Sequence, residues 1–206
     1  MYTRRSGLII GFHGCDKSVQ ELVIKDSSKD LKPSKNPWDW LGHGIYFWEN
    51  NPKRALDFAK EQSKRKGSKI KNPAVVGAVL DLGYCLDLMD MDNIALVKET
   101  YNVIKLSADI AGKTLPSNVS PNSGSPTSDL LFRNLDCMVI NSLHATQDSQ
   151  RAFDSVKGIF TEGRPLYENA GFREKDHIQI CIRNLNCIKG YFLPRELRKV
   201  STAIKD

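Results

Sequence analysis

The chain reads as a single α+β domain in which short, largely antiparallel strands pack with flanking helices. Three observations predict this. The 206 residues suffice for one substantial core and favour one domain over two. Short apolar runs such as 8–12 and 74–82, bounded by glycine, proline or polar turns, have strand length rather than helix length. Three further runs, 155–161, 177–182 and 187–193, follow one another and complete a largely antiparallel set.

Each element has a local cause. Leu8 to Phe12 lies between Gly7 and Gly14 and is expected to be a buried strand that ends at His13. Asp16 is placed to cap a short helix that turns Val19, Leu22 and Val23 inward, and 29–37 is a polar loop. Asn50 or Asn51 before Pro52 is a strong helix start, with Ala55, Leu56 and Ala59 on the inner face. Residues 92–110 place Ile94, Val97, Tyr101, Ile104 and Ala108 on one stripe. The Pro-, Ser- and Asn-rich stretch 114–128 is expected to be a mobile loop. Ser128 or Asp129 then opens a last helix with Leu131, Leu135, Met138 and Val139 inward. In 177–182, isoleucines 178, 180 and 182 alternate with His177, Gln179 and Cys181. One strand face should therefore be apolar and buried, and Gln179 should face a cleft.

Composition narrows the class. No run of eighteen apolar residues and no signal-peptide pattern occurs, so a cytosolic protein without a membrane partner is expected. The five cysteines, Cys15, Cys85, Cys137, Cys181 and Cys187, lack the paired spacings of a metal site or a disulfide scaffold and are expected as reduced, mostly buried thiols, with no metal. The formal charge of +6 is uneven: Lys60, Lys64, Arg65, Lys66, Lys69 and Lys71 crowd one stretch against Glu61. Such a stretch either binds phosphates or is a solvated helix end whose cations complement the dipole. Trp38 and Trp40 flank Asp39 just before a glycine turn, as a stacking platform for adenine or an RNA base or as a hydrophobic lid that fixes the loop. No Walker loop and no Gly-x-Gly-x-x-Gly joins a strand to a helix.

Two segments carry chemistry. In Phe12-His13-Gly14-Cys15 a neutral imidazole can donate and accept at once, which suits a ribose hydroxyl. Gly14 leaves its backbone free to pair with a flat carboxamide. In Gly42-His43-Gly44-Ile45-Tyr46-Phe47 the glycines allow a tight turn that presents Tyr46, whose ring could stack on a cationic nicotinamide. Taken singly, His13 could be a strand-end histidine, Tyr46 a core aromatic, and Cys15 a packing residue rather than a nucleophile.

The order and spacing of these segments, followed by the strand at Gln179, resemble ADP-ribosyltransferases of the diphtheria-toxin and poly(ADP-ribose) polymerase class. More narrowly, 38–50, 177–181 and 187–192 look like small bacterial toxin–antitoxin ADP-ribosyltransferases, some of which act in phage defence and modify mRNA. The resemblance implies two packed, mainly antiparallel sheets forming an NAD cleft, with NAD as substrate, His13 on the adenosine ribose, Gly14 on the carboxamide, Cys15 and Gly44 beside the cofactor, Tyr46 on the nicotinamide and Gln179 on the nicotinamide ribose. With the uneven charge it favours an acceptor among nucleic acids, RNA first, which Trp38, Trp40, Lys64, Arg65, Lys66 and Lys69 are the candidates to contact, and it implies an antitoxin protein as partner. The chain departs from the family where a glutamate is commonly found, because the matching position is Gln179. An amide orients a hydroxyl but takes no proton, so Glu162 or Glu168, in the loop leading to that strand, is expected to supply the base unless the acceptor needs none. Rival expectations are an NAD glycohydrolase, a protein-directed transferase, and an inactive module that binds NAD or RNA.

Overall fold

The computed structural model describes residues 7–120, 129–147 and 152–195. In chain order the elements are β1 Ile9–Asp16, α1 Lys17–Lys25, β2 Ile45–Glu49, α2 Pro52–Ser63, β3 Pro73–Leu80, β4 Cys85–Asp87, α3 Met91–Ile110, β5 Asn118–Val119, β6 Phe132–Arg133, α4 Asn134–Thr146, β7 Ser155–Phe160, β8 His177–Ile182 and β9 Ile188–Phe192. Seven strands form one mixed sheet in the order β4-β7-β8-β2-β1-β3-β9, and β5 pairs with β6 apart from it. Within the large sheet every neighbouring pair is antiparallel except β4 with β7.

The expected pair of sheets is thus a single sheet, but one nearly divided in two. Between β1 and β2 the register holds for only Gly11 with Glu49 and Phe12 with Trp48, whereas β1 pairs with β3 along its whole length, Ile9 to Asp16. That pairing also corrects the expected strand end. His13 lies inside β1 rather than at its mouth, because β3 continues to supply ladder partners through Asp16. Beyond Phe12 the strands β1 and β2 part, and the His13 ring spans the parting by donating from Nδ1 to the Tyr46 carbonyl at 2.7 Å.

Cross-strand partners share a face and neighbours along a strand alternate, so the register sorts the side chains. Phe12, Trp48, Gln179 and Gly158 make one row across β1, β2, β8 and β7. Phe47, Ile180 and Lys157 lie on the opposite face, with Ile45, Val76, Leu80 and Ile182 in the larger apolar core. Both faces of β8 are covered: Ile180 and Ile182 are buried on the expected apolar face, and His177, Gln179 and Cys181 on the other face are buried too.

Helix α2 begins as its sequence demands, with the Asn51 side chain capping the Arg54 amide at 3.0 Å and proline in the first turn. It lies so close to β1 that a Cβ on Gly14 would stand 2.1 Å from the Ala55 carbonyl oxygen. Asp16 caps α1 as expected, though Val23 alone of its apolar residues is fully buried and Leu22 is exposed. Helix α3 keeps its expected span, but Ile94 of the expected stripe is exposed and Ala108 is the residue it buries. Helix α4 starts at Asn134 rather than at 128 or 129. Its first turn is capped from outside, by Asn118 Oδ1 accepting from the amides of Leu135 and Asp136 at 2.9 and 3.2 Å. Its buried stripe is Cys137, Val139, Ile140, Leu143 and His144, so of the expected inward residues Val139 alone is fully buried. Of the expected loop 114–128, residues 118–119 form β5, and 121–128 lie outside the described residues.

Candidate functional site

The face that carries Trp48 and Gln179 holds a closed polar cluster. The close approach of α2 over Gly14 sets Arg54 against the sheet, with its guanidinium carbon 5.6 Å from the Trp48 ring centre. Arg54 Nη2 donates to Glu162 Oε2 at 2.7 Å. His177, two residues before Gln179 on the same face, places Nδ1 4.0 Å from that oxygen. Trp48, Arg54, Glu162, His177 and Gln179 are none of them more than 8% exposed. Five atoms among them, Trp48 Nε1, Arg54 Nε and Nη1, His177 Nε2 and Gln179 Oε1, are buried without a hydrogen-bond partner. Buried polar groups are ordinarily satisfied, so this concentration marks a place built to meet polar atoms.

The protonation of His177 follows from its contacts. Nδ1 lies 2.6 Å from the Lys175 carbonyl, which can only accept, so the proton is on Nδ1 and Nε2 carries the lone pair. Burial lowers the pKa, with the Arg54 charge acting in the same direction, against the Lys175 carbonyl, Glu162 and Asp176, which raise it. The ring is neutral at pH 7. The unpartnered set is therefore mixed: Trp48 and Arg54 offer N–H donors, while His177 Nε2 and Gln179 Oε1 offer acceptors. Around it Trp40 stacks on His177 at 6.0 Å, Phe160 packs on both rings, and the Arg133 guanidinium covers Trp40 and Phe160 at 4.5 and 4.8 Å.

The first two sequence motifs meet at the parting of β1 and β2. His13 is half-buried against Phe47 and its pKa is lowered by burial, leaving it neutral. It follows Phe12 and so faces away from Gln179; one ligand reaches both only through the parting. Tyr46 is not a free stacking surface. Its hydroxyl donates to the Gly42 carbonyl at 2.6 Å and accepts from the Leu41 amide at 2.8 Å, which locks the glycine turn. Gly44 is a packing requirement, since a Cβ there would meet Cys181 Sγ at 2.5 Å. Burial raises the Cys15 thiol to about 11, which removes it as a nucleophile.

The other candidates separate. Glu162 is held by Arg54, whereas Glu168 is exposed on the loop between β7 and β8. Trp40 is inside the aromatic stack with Nε1 donating to the Leu131 carbonyl at 2.9 Å, so it is the lid of the two alternatives. Trp38 is partly exposed, edge-on to Phe132. Lys64, Arg65, Lys66 and Lys69 are exposed at and after the C-terminal end of α2. Sequence reasoning missed Arg54 and His177 as members of the site, although Arg54 follows the Asn51 cap by three residues and His177 shares the face of Gln179. It also missed Lys157, 2% exposed and ion-paired with Glu49 on the opposite face.

Among the described residues no group of His, Cys, Asp and Glu could hold a metal ion, and no helix is long and apolar enough to cross a membrane. A cavity of about 510 Å³ lies away from the polar cluster, behind the glycine turn, lined by Pro37, His43, Cys137 and Asn141 among others. The cavity walls are mostly apolar and carry no unpartnered buried atom, whereas the cluster gathers five.

Comparison with known proteins adds a relative without a stated activity. The chain is similar to an uncharacterized protein of Methanocaldococcus jannaschii, MJ0359, 25% identical over 198 residues that cover 86% of this chain and 83% of the relative. No family model matches the chain, and no solved structure matches it.

Proposed function

We propose that the chain is an NAD-dependent ADP-ribosyltransferase that modifies nucleic acid, with RNA the favoured acceptor, and that it acts as the toxin of a toxin–antitoxin pair. The observation that carries the reading is the mixed set of unpartnered buried atoms around Gln179, beside the parting of β1 and β2 at His13 and Gly14. Donors and acceptors in one small site suit a ligand that itself presents both, as a carboxamide or a ribose diol does. Gln179 Oε1 accepts from a ribose hydroxyl. Trp48 Nε1 and Arg54 donate to carboxamide or hydroxyl oxygens, and Glu162 neutralises the guanidinium so that the site carries no net charge from this pair. Cleavage of the nicotinamide–ribose bond builds positive charge on the sugar; an amide dipole aimed at that sugar stabilises it less than a carboxylate does, so a slow enzyme is expected. The exposed cations after α2 favour a phosphate-bearing acceptor.

Incubation with NAD labelled in the adenylate moiety, together with RNA, DNA and protein in parallel, tests the reading. Nicotinamide release with label on RNA supports it. Release without label on any polymer makes the protein a glycohydrolase, label on protein redirects the acceptor, and NAD binding without release makes it a binding module.

A further inference from the structure

The Gln179 amide cannot take the proton that a transfer reaction releases, and the loop carboxylates are poorly placed to do so: Glu162 is ion-paired to Arg54, Asp176 accepts from the amides of Glu162 and Arg173, Glu174 is paired with Arg164, and Glu168 is exposed on the loop. One basic lone pair remains in the cluster. We propose that His177 Nε2 is the proton acceptor for the group that attacks the ribose, an inference that rests on the transferase reading above. The Lys175 carbonyl at 2.6 Å fixes the tautomer that leaves Nε2 unprotonated. That atom has no partner, and it stands on the Gln179 face of the sheet. In the step, the acceptor X–H forms an X–C1′ bond, the C1′–nitrogen bond of the pyridinium breaks with its electron pair passing to the nicotinamide nitrogen, and the X–H proton goes to Nε2. Neutral nicotinamide leaves and an imidazolium remains, to be deprotonated by solvent.

The charged groups facing the ring are Arg54 from α2, Glu162, Lys175 and Asp176 from the loop and the start of β8, and Arg133 across the aromatic stack from the α4 end. Beyond its buried anchor, Glu162 on Arg54, the loop is tied by Arg173 to the largely buried Asp129 at 2.8 Å and by Lys175 to the exposed Glu61 at 2.7 Å, while its Leu166, Tyr167 and Phe172 are exposed. The exposed Lys175–Glu61 pair is cheap to displace, and its displacement, with the Glu162 anchor kept, is the route by which an acceptor reaches the ring.

The experiment measures nicotinamide release and RNA labelling against pH for the wild type and for His177→Asn, whose amide N–H retains the bond to the Lys175 carbonyl. Transfer by the wild type is expected to hold above pH 6.5 and to fall below it as Nε2 becomes protonated. His177→Asn is expected to lose about 100-fold to 10,000-fold in transfer, to lose the acidic limb, and to recover activity with added imidazole. Nitrogen-15 NMR of the wild-type ring at pH 7 is expected to show the proton on Nδ1, a readout that does not depend on the variant folding. A proton on Nε2, or nicotinamide release with a transfer rate and pH profile indifferent to His177→Asn, overturns the proposal and leaves the transferase reading standing. Absence of nicotinamide release from the wild type overturns the transferase reading and the proposal with it.

Discussion

Removing the Glu162 carboxylate should destabilise the protein far more than a catalytic base would require. Arg54 is 7% exposed and already has Nε and Nη1 without partners, so its bond to Glu162 at 2.7 Å is the contact that compensates the buried charge. Glu162→Ala removes the carboxylate that pairs with the buried guanidinium, a loss of about 3–5 kcal/mol for a broken buried pair. Removing both charges relieves the problem: Arg54→Met with Glu162→Leu is expected to be less destabilised than Glu162→Ala alone, since apolar replacement of a buried pair is often close to neutral. Urea unfolding of the wild type, both single variants and the double variant, read by tryptophan fluorescence, gives the coupling. A Glu162→Ala cost below about 0.5 kcal/mol, the level of an ordinary surface substitution, or a double variant whose loss equals the sum of the singles, refutes the assignment of Glu162 to the ion pair and returns it to the pool of free carboxylates.

Three further outcomes follow from the same geometry. His144 is buried with Nδ1 on the Ile140 carbonyl, and burial lowers its pKa from the ordinary 6.5 to about 4; the folded state resists its protonation, so stability should be complete above pH 6.5 and fall by up to about 3 kcal/mol as pH drops towards 4, a loss that His144→Leu should abolish in acid-unfolding curves. Gly14→Ala puts a methyl carbon 2.1 Å from the Ala55 carbonyl oxygen, which must push α2 off the sheet at a cost of about 1–3 kcal/mol, seen as a lower melting temperature; an unchanged melting temperature would show that α2 does not lie this close. Replacing Lys64, Arg65, Lys66 and Lys69 by glutamine should weaken RNA labelling and flatten its salt dependence while leaving NAD binding intact, and labelling that ignores both changes and added salt would exclude these cations from the acceptor site.

Much of the scaffold was legible because its causes are local. Asn51 before Pro52 starts α2, Asp16 caps α1, and the apolar run at Pro73–Leu80 makes a strand whatever lies beside it. The site was legible only in part. Gln179 could be placed on one face of a strand from the alternation around it, and His13, which the resemblance sets beside Tyr46, meets that residue's backbone carbonyl. The orientation of Tyr46 could not be read, because its hydroxyl is bound by the backbone of Leu41 and Gly42, and a turn that closes on its own following side chain has no signature in residue type.

The sequence by itself located β1, β3, β7, β8 and β9 and helices α1, α2 and α3, since capping, proline placement and apolar alternation act within a few residues of their cause; the short strands β4, β5 and β6 and the start of α4 depend on distant partners. That His13, Tyr46 and Gln179 share one sheet, where the resemblance implies two, follows from strand pairing between distant segments. Only the tertiary structure decided that His13 and Gln179 face opposite sides, that Trp40 is walled in by Arg133 and Phe160, and that Glu162 is bound by Arg54 from 108 residues away. Strand order across the sheet and the depth at which α2 settles over Gly14 depend on contacts between distant segments, and those contacts fix which polar atoms are stranded together. The polar character of this cluster lies in that juxtaposition, which no short stretch of the chain encodes.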